Sequence, residues 1–132
     1  MEQKLTVLFD LDWTLVDTAP DLIRAHNHVM KKFCYPTKSI NELKNAVGKG
    51  AKAIMAKGNG KWEWFDEKIK NEMTDEFLSF YKKNILYEST LIKGVKDFLF
   101  VQTAINIFWF LHHLKNSFTP LIRVLSCKIF FL

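Results

Sequence analysis

The chain has 132 residues, a net charge of +5 and a 48% hydrophobic content, for which one globular core with a modest insertion is the expected ceiling. The charge is uneven: residues 1–97 hold all 14 acids and 16 of the 19 Lys and Arg (+2), whereas residues 98–132 carry +3 with no acid. A basic excess serves nucleic acid when a recognition motif accompanies it; no helix-turn-helix, finger or aromatic RNP-like motif does, so no nucleic-acid partner is expected. Met1-Glu2-Gln3-Lys4 leads directly into an apolar run, so no signal peptide is expected. Val7, Leu8 and Phe9 predict a strand buried on both faces, as in a parallel sheet. Asp10 and Asp12 fall at its carboxyl end, where open α/β sheets bind ligands. Side chains alternate along a strand, so continued extension would put both carboxylates on one face. Two close anions are costly unless a cation or a shared proton relieves them. Magnesium is the natural relief, because it takes hard oxygen ligands and keeps room for substrate phosphates.

Helices follow. Thr18 is placed to cap a helix, with Pro20 in its first turn and Asp21 facing the dipole. Leu22, Ala25, Val29 and Phe33, with Ile23 and Met30, form its apolar stripe, and Tyr35-Pro36 ends it. Ser39-Ile-Asn-Glu42 is a capping box opening a second helix through Val47. Gly48-Lys49-Gly50 breaks that helix, Ala51–Lys57 makes a third, and Gly58-Asn59-Gly60 turns the chain. Trp62, Trp64 and Phe65 read as core of this helical block. Asp66 begins a long helix with Ile69, Met73, Phe77, Phe80, Tyr81 and Asn84 on one side. Residues 17–88 thus read as helical, with no strand inside.

Asp10-Leu-Asp12-Trp13-Thr14 resembles the first motif, D-x-D-x-T, of the haloacid dehalogenase-like (HAD) phosphohydrolases. Leu15-Val16-Asp17-Thr18-Ala19-Pro20-Asp21-Leu22 resembles the phosphoglycolate phosphatase branch. The resemblance implies an α/β fold: a HAD-like Rossmannoid core, here truncated with an incomplete parallel sheet, and a helical cap inserted after strand 1. It divides the chain into a partial core (1–16 and 89–132) and a cap (17–88). It also implies a magnesium-dependent phosphomonoester hydrolase, with 2-phosphoglycolate as the first candidate substrate. Asp10 would be the nucleophile, forming an aspartyl-phosphate, and Asp12 the general acid and then base. Both would bind magnesium, Asp12 through its backbone carbonyl. Thr14 would position the acid/base at the substrate site, and Lys49, in a loop like one that approaches the pocket in relatives, would meet a substrate carboxylate or phosphate. The usual family residue at position 13 is Gly, so Trp13 changes the pocket wall.

Thr90-Leu-Ile-Lys93-Gly94-Val95 resembles the family's return from cap to core, with Gly94 ahead of a helix. From about Phe98 the resemblance stops. The family's second strand ending in Ser or Thr, its Lys near Lys-Pro, and its later Gly-Asp are not found. Strands are expected within 104–111 and 121–131. The charge-free run Phe98–Leu114 is short for a membrane span, so no membrane partner is expected. Cys34 and Cys127 form no C-x-x-C pair and read as intracellular thiols, which favours the cytoplasm. His26, His28, His112 and His113 show no ligand spacing and read as structural. The partner expected is a small phosphorylated metabolite. Two alternatives stand beside this: a catalytically inactive fragment, truncated or frameshifted near residues 97–102, and a small helical interaction or membrane-associated protein.

Overall fold

The computed structural model describes the backbone of residues 6–10, 12–101 and 106–110, and the side chains of residues 12–98. By contacts the chain divides into two compact units, residues 18–89 and residues 1–17 with 90–132.

In the discontinuous unit, β1 (Thr6–Asp10) runs parallel to β4 (Asn106–Phe110), with Thr6 opposite Asn106 and Asp10 opposite Phe110. Parallel neighbours need a long crossover, and here everything between the two strands is that crossover. The strand expected within 104–111 is therefore present; the one expected within 121–131 lies outside the described residues. After β1 the chain turns sharply: Trp13 N donates to Val16 O at 2.8 Å. The short β2 (Val16–Asp17) pairs antiparallel with β3 (Thr90–Leu91). Ile92 N adds a bond to Leu15 O at 3.0 Å, and Leu15 and Val16 are buried. Asp17 thus lies in a strand, where a wholly helical 17–88 was expected. Gly94 precedes α5 (Val95–Val101), as the sequence predicts.

The contiguous unit is helical. Its first helix, α1 (Ala19–Lys32), buries Leu22, Ile23, Ala25, Val29 and Met30, the predicted stripe without Phe33, which ends the helix. Each of these side chains apart from that of Ala25 stabilises the fold by about 1.5–3 kcal/mol when fully buried. Thr18 stands at the N-cap position, but its side chain makes no capping bond; Pro20 and Asp21 favour the first turn instead. At the other end Cys34 takes a left-handed conformation (φ 61). Tyr35 N reaches Met30 O at 2.7 Å and Cys34 N reaches Lys31 O at 3.2 Å. These two bonds close a Schellman motif around a non-glycine residue.

The second helix is shorter than expected. α2 covers only Ile40–Leu43 before tightening into a 3-10 turn at Lys44–Ala46. The Glu42 carboxylate accepts from Ser39 N at 2.8 Å and Ser39 Oγ at 2.9 Å. Those donors, then Lys38, lower its pKa to about 2. α3 (Ala51–Gly58) follows, then a 3-10 turn at Trp62–Trp64. Trp62 is buried, but Trp64 is 84% exposed and contributes nothing to the core.

The last helix, α4 (Glu67–Lys83), starts where expected, with Asp66 Oδ1 accepting from Ile69 N at 2.8 Å. It buries Met73, Phe77 and Tyr81, positions four apart, whereas Ile69 is exposed. α1 and α4 pack together. Across that contact Glu76 accepts from Lys32 Nζ at 2.7 Å and pairs with His28 Nε2 at 2.8 Å. Lys32 first, and then His28, hold the Glu76 carboxyl below its usual range. The His28 ring also stacks on Phe80 at 4.1 Å.

One buried carboxylate joins the two ends of this unit. Asp21 is 2% exposed. It accepts from Glu88 N and Ser89 N, both at 2.9 Å, and from Ser89 Oγ at 2.5 Å. Asp21→Asn replaces one acceptor oxygen with a donor that faces N–H groups, and should cost about 1–3 kcal/mol. Urea denaturation at neutral pH reads this directly, with the m-value unchanged.

Candidate functional site

Asp10 is the last residue of β1, at the carboxyl end of the parallel pair. Asp12 lies two residues on, half-buried, and makes an isolated bridge with Val16. Ladder and bridge set both acids at the mouth of one strand, in the β1–β2 turn. The apolar run Val7, Leu8 and Phe9 pairs with Ile107, Phe108 and Trp109, and Asp10, opposite Phe110, is the last residue of the ladder.

Trp13 adopts φ 63 and is 46% exposed. A bulky residue pays about 1 kcal/mol or more for this left-handed conformation, which glycine adopts freely. The physical basis of a glycine at this position is therefore the turn itself. Trp13→Gly should raise stability by roughly 0.5–1 kcal/mol, net of glycine's larger unfolded-state entropy, and a rise in the urea midpoint checks it. Thr14 sits exposed on the same turn.

Lys49 belongs to the helical unit. It is exposed, between Gly48 (φ 83) and Gly50 (φ 93). Positive φ on both sides of one lysine is what requires glycine here. Gly50 starts α3 without a side-chain cap, and Lys49 N is held by Ala46 O at 3.1 Å.

For a divalent cation, the donors fit in kind. Magnesium is typically bound through one or two carboxylates, with water and substrate phosphate completing the octahedron, and Asp10 and Asp12 supply hard oxygens in that number. Among the described residues no group of three His, Cys, Asp or Glu gathers elsewhere. His26 and His28 make structural contacts, as predicted; His112, His113 and Cys127 lie outside the described residues. Among the described residues no helix is long and apolar enough to cross a membrane.

The tie made by Asp21 is a structural feature that local reading missed. Its partners lie 67 and 68 residues away, and nothing in the flanking sequence marks them.

Residues 7–104 match the haloacid dehalogenase-like hydrolase family, about six residues beyond the point where the resemblance was expected to stop. The chain is 34% identical over 95 residues to a phosphoglycolate phosphatase of Caulobacter vibrioides, covering 71% of this chain and 40% of that protein. It is 32% identical over 101 residues to a phosphoglycolate phosphatase of Colwellia psychrerythraea, covering 74% and 45%. The chain thus spans less than half the length of these curated relatives. Among solved structures, one described as a predicted phosphoglycolate phosphatase from Haemophilus somnus superposes with TM-score 0.78 at 23% identity, over 94% of this chain and 58% of that one. That likeness supports the α/β HAD-like fold. With the family match over most of its length, the chain belongs to the haloacid dehalogenase-like hydrolases.

Proposed function

We propose that this chain carries the nucleophile-bearing part of a magnesium-dependent phosphomonoester hydrolase, with 2-phosphoglycolate as the first substrate to try. The observation that carries the reading is the pair Asp10 and Asp12 at the carboxyl end of a parallel strand, within the family match. An Asp10 carboxylate oxygen attacks phosphorus, and the bond from phosphorus to the ester oxygen breaks. Asp12 gives its proton to the departing alkoxide. Water then attacks the aspartyl-phosphate; Asp12 takes the water's proton, and the Asp10 carboxylate is released with inorganic phosphate. Splitting the hydrolysis into two displacements makes each easier, and one carboxyl serves both proton transfers. Magnesium, held by Asp10 and the Asp12 carbonyl, would offset charge on the phosphoryl oxygens. Thr14 is proposed to position Asp12, and Lys49 to meet the substrate's anionic group.

In the same reading, residues 18–89 act as a cap, which excludes water and carries substrate contacts. The free, exposed thiol of Cys34 suits a reducing compartment such as the cytoplasm.

A second reading is that this chain alone is catalytically silent. It is favoured by the absence of any acid after Asp97 in the sequence, so that later acids cannot complete the metal shell. Phosphate release from a panel of phosphomonoesters, with magnesium and with chelator, decides between them. Saturable release that chelator removes supports the active reading. Release no faster than the protein-free blank supports the silent one. Translating the nucleotides beyond codon 97 in the other two frames then tests a frameshift, which predicts Thr-Asn, Lys-Pro and Gly-Asp motifs there.

A further inference from the structure

The helical unit holds a groove of about 430 Å³ on one stripe of α1, bordered by Ile40 and Glu88. That volume is in the range of small-molecule sites. Ile23, Arg24, His28 and Lys31 line it from α1, at helical spacings that place them on one face.

Its charges are largely uncommitted. Arg24 and Lys31 form no ion pair among the described residues, whereas His28 is paired with Glu76. The Arg24 guanidinium lies over the Tyr87 ring at 3.8 Å, with Phe80 at 5.8 Å. Its Nη1 is buried without a hydrogen-bond partner. A buried donor left unmade is costly, and a guanidinium resting over an aromatic ring loses less further freedom when it binds. Arginine's fork matches oxyanions, which it holds through two parallel bonds. Ile23 and Ile40 add apolar wall for a short carbon skeleton, and Glu88 is the single acid at the rim.

We propose that this groove binds a small oxyanionic metabolite, a phosphate or carboxylate group seated on Arg24 with Lys31 as the second cation. The site lies wholly within residues 18–89 and does not depend on the phosphatase reading.

Calorimetric titration of the full chain with inorganic phosphate and, separately, with citrate, at constant ionic strength, tests it. Saturable binding of either probe in the millimolar range is expected. Phosphate alone assigns a phosphorylated ligand, and citrate alone a polycarboxylate. Arg24→Gln should weaken binding about tenfold or more, as expected for a charge-assisted bidentate contact. Lys31→Gln, at an exposed position where folding is not at issue, should weaken it about threefold, and Glu88→Gln should tighten it by a similar factor. Asp10→Asn should leave it unchanged. No saturation up to about 20 mM, a dissociation constant too weak for a built site, overturns the proposal. So does binding that survives Arg24→Gln and Lys31→Gln together, or that disappears with Asp10→Asn.

Discussion

On the proposed reading, Asp10→Asn should remove phosphate release, lowering kcat by on the order of 10³-fold or more, the scale seen when a covalent nucleophile is lost. An amide has no anionic oxygen to attack phosphorus, so no aspartyl-phosphate forms, while the strand keeps a residue of the same size. The circular dichroism spectrum and urea midpoint should match those of the unaltered chain. Asp12→Asn should behave differently. It removes the acid and the base together, a loss of about 10²–10⁴-fold for an alkyl phosphate. p-Nitrophenyl phosphate has a leaving group that needs no proton, so its first displacement survives. The expected trace is a burst of nitrophenol near one equivalent, followed by slow turnover. Steady release by Asp10→Asn, or no burst from Asp12→Asn, would remove these residues from their roles.

Gly58→Ala should destabilise the helical unit by about 2–3 kcal/mol, the cost of overpacking a filled interior. Gly58 ends α3 and is buried against the His26 imidazole. A methyl there would fall on the ring, 2.5 Å from Cε1 and 2.7 Å from Cδ2 and nearer still to Nε2. Alanine's helical advantage over glycine, about 1 kcal/mol, is too small to offset that. His26 cannot easily retreat: it is fully buried, Nδ1 bonds Asn27 Oδ1 at 3.0 Å, and Asn27 is itself fixed to Lys38. The double variant His26→Ala/Gly58→Ala should therefore be less destabilised than the sum of its parts by at least about 1 kcal/mol; additive losses would disprove the contact.

The same ring gives a pH dependence. Burial, and secondarily the Lys38 charge, hold His26 below its usual 6.5, although the Asn27 bond acts the other way. Nε2 is buried without a partner, so the folded state keeps the ring neutral. Stability is then fully present above pH 6.5 and is lost as pH falls from there toward the folded-state value, because the unfolded chain takes up the proton first. Urea midpoints of His26→Gln should show less of this loss between pH 7 and 5 than those of the unaltered chain.

How far the sequence could be read depends on the range of the interaction. Val7–Asp10 was legible because a short continuous apolar run ending in a charge is a local strand signal. The α1 stripe, the Ser39–Glu42 clasp and the Asp66 cap were legible because their partners lie within four residues. Trp64 was misread because hydrophobicity says nothing of direction: on a single 3-10 turn, Trp62 faces inward while Trp64 faces solvent. The second helix stopped early for a similar reason, since Leu43 and Ala46 are buried at the spacing of a tighter turn. The contact between Gly58 and His26 and the bonds of Asp21 to Glu88 and Ser89 span 32 and more than 60 positions, and no local pattern announces them. For the site, the two acids were visible, but the left-handed turn at Trp13 became apparent only from the backbone.

The bonds made by Asp21 have an architectural outcome. A segment whose entrance and exit are clasped by one side chain has its two cut points side by side, so removing or exchanging it leaves the flanking chain with a gap a few residues can bridge. Such a module can be traded between scaffolds, shortened or enlarged without altering the register of the strands that flank it.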